Sequence, residues 1–388
     1  MRRGGYASLV LGFVCCHTAQ ANEIDVTYGA GHSFDDNYFF DTNNMAAQSY
    51  NANLGLRGSL DIDGGKIGYA VSHEEVRVPK YRFAEEHNTQ AEISLTKAIG
   101  EKLEFAAKVS GIRSDAGDIF LKLPEEVLGY RRLDHKIDAT TGLTLTALGG
   151  KNTVTFNYSN LLKGKAYFRP AYILPARLEA NEAAFGIKAD HIRPFASGEL
   201  GFALTYNESV IRDSQQQKFE RFPARTLRGS VAFGRKISEN FAFLTEAGLT
   251  TISSAHISDT VQHTRPYVRA EVEWKANDIF AFGGAFSQDY ALVDMDDPIA
   301  EFERRWKVVM KTTITDNISV DLGFERTYSE WLYYDYGTGE KNLFATLSFE
   351  TGNNRKLEFE FSRLLHDEKD ADFNYSGNTI ASRFSGTF

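Results

Sequence analysis

Cysteine is nearly missing from this 388-residue chain: Cys15 and Cys16 are the only two, adjacent and close to the N-terminus. They leave no disulfide framework, no thiolate metal site and no cysteine nucleophile for the rest of the chain. Proline is scarce, at 8 residues, so alternating stretches run without interruption. No stretch of about 18 apolar residues occurs after residue 21, which excludes a transmembrane helix. A basic excess is lacking too. Lys and Arg number 43 against 52 Asp and Glu, which argues against a nucleic-acid partner. If such a chain enters a membrane, it does so as a closed barrel.

What is present begins with a leader. Arg2 and Arg3 form a basic start, Ala7–Cys16 is a short apolar run, and Ala19-Gln20-Ala21 fits the small-x-small rule of signal peptidase. The expectation is a cleaved signal peptide over 1–21 and a single mature domain over 22–388. Cys16 raises a lipoprotein alternative, but Phe13 and Cys15 stand where small residues are required. Both cysteines leave with the signal, which suits an oxidising periplasm. Loss of Arg2 and Arg3 takes the net charge from −9 to −11.

The mature chain reads as β throughout. Period-2 alternation is plain over 50–60, 133–145, 268–274, 318–324, 343–349 and 357–361. Residues 120–128, with Pro124, have room for one short helical turn in a loop. Short Gly/Asn/Asp turns fall at 61–65, 99–102, 149–152, 193–197, 237–240, 276–278, 315–317 and 352–355. Longer connections lie between them: 34–46, 114–128, 163–177, 209–222, 252–263, 290–300, 329–340 and 366–375. Short turns on one side and long loops on the other mark an up-and-down antiparallel outer-membrane barrel of about 18 strands. A propeller shares the roughly 40-residue period but fits four short strands into it and repeats a signature. Here each period holds two long strands and no signature.

The strand faces agree. One carries Leu, Val, Ile, Phe and Ala. The other carries Asn51, Asn53, Ser59, Thr140, Thr144, Thr155, Asn157, Ser159, Thr205, Ser230, Thr346 and Ser348, which suit a wet lumen better than a soluble surface. Aromatics at Tyr38–Phe40, Tyr167, Phe168, Tyr328, Trp331, Tyr333 and Tyr334 suit an interfacial girdle. The last strand sets Ile380, Phe384 and the terminal Phe388 on one side, with Arg383 and Thr387 on the other. With the leader, these features resemble Gram-negative outer-membrane barrels of porin type. They are loosely similar to β-barrel porins encoded near exopolysaccharide genes. The resemblance implies that Phe384 and Phe388 are read by the barrel-assembly machinery. It implies the outer-membrane bilayer and lipopolysaccharide as surroundings. It carries over no functional residue.

Charges in mid-strand must point inward, because on the lipid face each costs a few kcal/mol. Alternation groups Arg265, Tyr267, Arg269, Glu271 and Glu273 against Val268, Val272 and Trp274. It groups Arg305, Lys307 and Lys311 against Trp306, Val308 and Met310. Arg57, Lys108, Arg132, Lys136, Lys188, Arg228 and Arg383 join them. So do Glu104, Asp134, Asp138, Glu246, Asp321, Glu325, Glu358 and Glu360. Such a lumen is a constriction with facing charges that passes small hydrophilic solutes. A basic track through Arg265, Arg269, Arg305 and Lys307 suits an acidic saccharide, with Tyr267 as a stacking surface. A salt-bridged, closed lumen is the third option.

The histidines are scattered singly, without nucleophile or metal-ligand spacing, so no enzyme, catalytic residue, cofactor or metal is expected. A barrel enzyme at the outer leaflet stays as an alternative. The acidic runs 294–297 and 366–372 lack calcium-loop spacing and read as solvated loops.

Overall fold

A turn of two to four residues forces the strands it joins to lie side by side. All eight expected short turns do this, within a residue or two of their expected places. Gly64 (φ +68°) and Gly149 (φ +73°) take the left-handed conformation that such turns need. The computed structural model describes residues 21–388 except 125, 172, 257–262, 294, 335, 353 and 369–372. The proposed leader, with Ala19, lies outside the described residues. Ala21 is the first residue of a strand.

The strands are β1 (Ala21–Asp35), β2 (Ala47–Ile62), β3 (Gly65–Arg77), β4 (Glu86–Ile99), β5 (Leu103–Lys122), β6 (Val127–Ala147) and β7 (Gly150–Leu162). A three-residue β8 (Tyr167–Arg169) only extends the outer end of β6. The wall continues with β9 (Glu182–Phe195), β10 (Gly198–Val210), β11 (Arg225–Ser238), β12 (Phe241–Ser253), β13 (Thr264–Lys275) and β14 (Phe280–Ala291). It ends with β15 (Glu301–Thr315), β16 (Ile318–Trp331), β17 (Tyr336–Glu350), β18 (Arg355–Glu368) and β19 (Tyr375–Thr387). Every neighbour is antiparallel. β7 pairs β9, and β1 pairs both β2 and β19, so 18 strands close a barrel with no free edge.

The register assigns faces without ambiguity. On β12, Phe243, Ala247 and Leu249 point outward, and Glu246, Gly248 and Thr250 point inward. Leu249 is 60% exposed and Thr250 only 2%. This is the reverse of a soluble protein and matches a lipid-facing band around a polar interior. Outward Leu54, Ile93, Val109, Leu204, Leu227 and Val308 continue the band around the wall. At the short-turn end it is rimmed by the ring pairs Phe233–Phe243, Trp274–Phe282 and Phe349–Phe359. Phe388 stacks on Tyr28 (4.8 Å) and exchanges both backbone hydrogen bonds with Val26, tying the last residue to the first strand.

Several local expectations are corrected. Residues 114–128 are not a loop. β5 and β6, 20 and 21 residues long, pair as far as Lys122 and Val127, so 120–122 and 127–128 of the stretch with room for a helical turn are strand, and the Leu123 amide bonds the Glu126 carbonyl (2.8 Å) between them. By contrast β13 and β14 have 12 residues each. The stretch 329–340 is mostly strand, since β16 runs to Trp331 and β17 starts at Tyr336. A short helix, α1 (Asp213–Phe219), stands in the outer connection between β10 and β11. The aromatics at Tyr38 and Phe39 do not face lipid; they pack on Tyr81 and Phe83 beneath an outer loop. Phe168 likewise is buried against Phe120 and Tyr130.

Candidate functional site

The lumen wall is built from the inward half of every ladder. All twelve small polar residues expected there point inward by register, together with Gly55, Gly68, Ser94, Ala106 and Gly142. Small side chains leave room for water. The charged ones stand in it: Lys108 is 54% exposed, Arg305 55% and Lys307 51%. These charges pair along the wall rather than across the lumen. Arg57 meets Asp25 (2.9 Å), Lys108 meets Glu92 (2.8 Å) and Arg269 meets Glu271 (2.6 Å). Arg305 meets Glu303 (2.7 Å), Lys307 meets Glu325 (3.6 Å) and Lys136 meets Asp138 (3.7 Å).

The outer mouth is narrower, because one part of the wall folds inward. The β13–β14 ladder stops at Val268/Gln288, although both strands continue in register with their other neighbours. Pro266 sits at this parting and has no N–H to offer. Beyond it β14 passes inside β13. Arg265, inward on β13, donates both Nη groups to Glu330, outward on β16 (2.7 and 2.5 Å). Its guanidinium lies 4.8 Å from the ring of Phe302, outward on β15. Tyr290 donates its hydroxyl to the His263 carbonyl (2.5 Å). Inner and outer faces can meet in this way only where the wall overlaps itself.

The overlap encloses an apolar core. Ile252, Ile299 and Phe302 are at most 2% exposed, and Phe222, Tyr290 and Leu292 pack around them. The connection 292–300 is thereby carried into the barrel and pinned. Buried Arg221 donates Nε to Glu182 (2.5 Å), one Nη to the Asp297 carbonyl and the other to the Leu292 carbonyl (3.3 Å). Asp297, fully buried, is not a solvated loop acid. Its Oδ1 accepts the Ile299 and Ala300 amides (2.8 and 2.9 Å), and its Oδ2 accepts the Tyr333 amide (2.8 Å). Glu301 accepts the amides of Asp296 and Asp297.

Three cavities lie in the outer half of the barrel, two of them bordered by the tuck. One of about 300 Å³ separates Leu292 and Val293 from Asp138, Thr140, Asn157 and Ser159. One of about 520 Å³ is lined by Asp35, Tyr38, Glu86, Asp118, Tyr130, Arg132 and Asp134. One of about 470 Å³ lies among Lys163, Glu179, Glu182, Arg221 and Asp296. Acids dominate this mouth. Burial raises the carboxyl of Asp296, and the charges of Glu179, Glu340 and Glu368 raise it further against the opposing pull of His366. Burial also pushes Glu179 up, but its bonds to Arg132 and Lys163 outweigh burial and hold it below the ordinary range.

No family model matches this chain, and no curated protein matches it. Solved structures share its fold. The siderophore receptor PirA of Acinetobacter baumannii superposes with a TM-score of 0.51 at 8% identity, over 95% of this chain and 81% of the receptor. A point mutant of the ferric enterobactin receptor PfeA of Pseudomonas aeruginosa, in complex with enterobactin, gives 0.52 at 8% identity, over 94% and 81%. The chain is an integral outer-membrane β-barrel. The lipid-facing band and the closed 18-strand wall give that placement its physical reason.

Of the lumen residues singled out from sequence, Arg228, Tyr267 and Glu246 form one group. The Arg228 guanidinium lies 4.0 Å from the Tyr267 ring and pairs with Asp289, and Tyr267 donates to Glu246 (3.1 Å). Arg132 and Asp134 bond each other (3.0 Å) at the mouth, where Arg132 also holds Glu179 and Asp134 accepts the Gly164 amide. Arg269, Glu271, Arg305, Lys307 and Lys136 are spread along the wall in their own pairs, and Lys311 stands opposite Asp321. Arg265 leaves that set for the overlap. Sequence reasoning missed Arg221, Glu182 and Asp297. The one available signal was Pro298-Ile299-Ala300, an apolar triplet directly after an acidic run in an outer connection. Among the described residues no three His, Cys, Asp or Glu side chains group as a metal site.

Proposed function

We propose that this barrel is a channel for small hydrophilic solutes, prefers cations, and is narrowed by the fixed inward tuck of 292–300. The observation that carries the reading is the wetting of the wall. Inward Lys108, Arg305 and Lys307 are about half exposed along the lumen, a state that a filled interior does not allow. Cation preference rests on the mouth, where Asp118, Asp134, Asp138, Glu179 and Asp296 border its cavities. An acidic polysaccharide would meet like charge there, so that conduit has less support. The fold shared with siderophore receptors supports transport across the outer membrane in general. The test is reversal potential in planar bilayers under a potassium chloride gradient. Cation-selective steps are expected. Anion selectivity, or no steps from correctly folded protein, would overturn the reading.

A further inference from the structure

The outward face breaks its own rule on one side of the barrel. Directly beyond the apolar band of β15–β18 it carries Arg304, Arg326, Lys341 and Arg363. Trp306, Arg326, Lys341 and Leu365 form one rung across four strands; Arg304 lies one rung outward, and Arg363, beside Leu343, one rung inward. Arg326 and Lys341 are directly opposed, and like charges in that relation destabilise a sheet. Elsewhere at the outer end most outward charges are matched by sign; the lone exposed Arg113 on β5, opposite His135, has no Lys or Arg beside it on its rung. Arg77 meets Glu75 (3.0 Å), Arg131 meets Asp115 (3.2 Å), and Glu208 stands opposite Arg225. Here Lys341 has Asp367 (2.5 Å), and Arg304 has only the far oxygen of a Glu330 already held by Arg265 (3.7 Å). Arg326 and Arg363 are exposed and form no ion pair among the described residues.

We propose that this band binds the phosphates of the glycolipid of the outer leaflet, lipopolysaccharide. The anion missing from the protein must then come from the membrane. The height is right, since the band begins where the apolar face ends. Trp306, 5.7 Å from the Arg326 guanidinium, is the kind of residue that sits at a headgroup boundary. Guanidinium forks match phosphate oxygens two by two. On the rung of Arg363 and below it, outward Val308, Leu343 and Phe361 offer a surface for acyl chains, which a free anion does not need. That argues for a lipid source.

The experiment uses the purified full barrel in detergent with bisphosphorylated lipid A as the probe, read by native mass spectrometry. The double variant Arg326→Gln/Lys341→Gln is expected to lose affinity by about tenfold or more. The single variant Arg363→Gln, which disturbs no pair, is measured beside it and is expected to lose affinity in the same direction. Arg225→Gln, at a matched site elsewhere, should bind like the parent protein. Dephosphorylated lipid A should not distinguish parent from variants. Heat-modifiable migration and unchanged channel conductance establish that the variants fold. Unchanged lipid A binding in folded Arg363→Gln and double-variant protein would overturn the proposal. So would displacement of lipid A by inorganic phosphate alone, because the site would then be one for free anions.

Discussion

Replacing Arg221 by methionine tests whether the mouth is held as described. The guanidinium is buried with Glu182 and bonds two carbonyls of the tucked connection, so its loss breaks a buried ion pair from one side. Breaking one side of a buried pair costs about 3–5 kcal/mol. At about 1.4 kcal/mol per factor of ten, the docked-to-undocked ratio of 292–300 falls by roughly two to four powers of ten. The barrel itself should survive, because its ladders do not involve Arg221. In planar bilayers the variant should visit a state of higher conductance that the parent does not show. Replacing residues 292–299 by a short Gly/Ser turn should make that state permanent. The double variant Arg221→Met/Glu182→Leu should recover most of the parent's behaviour, because both sides of the buried pair are then replaced by apolar groups. Unchanged conductance after removal of 292–299 would refute the constriction. Identical behaviour of single and double variants would refute the role of the buried pair.

Two further outcomes follow from the mouth and the wall. Asp296 is raised in the docked connection, so its ionisation opposes docking: the docked form is favoured below the ordinary carboxylate range and weakened as pH rises through the raised value. Glu179 is held low, against burial, by Arg132 and Lys163, neither of them in the connection, so those bonds do not tie its titration to docking. Conductance of the parent should therefore rise from mildly acid to neutral pH, and Asp296→Asn should flatten that rise. On the wall, Leu249→Arg sets a charge on the lipid face and should cost about 2–4 kcal/mol in urea unfolding from lipid vesicles, whereas Thr140→Arg on the lumen face should cost much less. Equal losses would undo the assignment of faces.

The strand number and the faces were legible because both are local. Alternation has a period of two, and turn residues mark hairpins wherever they occur. The mouth was not legible, because its contacts are long in sequence. Arg221 reaches Glu182 across 39 residues and Asp297 across 76, and nothing in the pattern near any of them announces the others. The β5–β6 hairpin was misread for another reason. Its Ser114-Asp115-Ala116-Gly117-Asp118 stretch has turn chemistry, but Asp115 is matched to Arg131 on the facing strand, and the ladder simply continues. Arg265 was placed on its correct face, yet its partner lies three strands away across an overlap that alternation has no means to express.

Crossing the membrane takes about ten residues of a tilted strand. β5 and β6 have twice that, while β13 and β14, on the other side of the circuit, have barely more. Their neighbours β4 and β7 have only 14 and 13 residues, so β5–β6 stands above the rest of the wall as a single tall hairpin. On the proposed function, a solute drifting along the cell surface would meet a screen over that one arc of the rim and none like it where β13 and β14 stand. The wall is thereby uneven in the plane of the membrane, and neighbours crowded against the hairpin would touch a surface that the other strands do not offer.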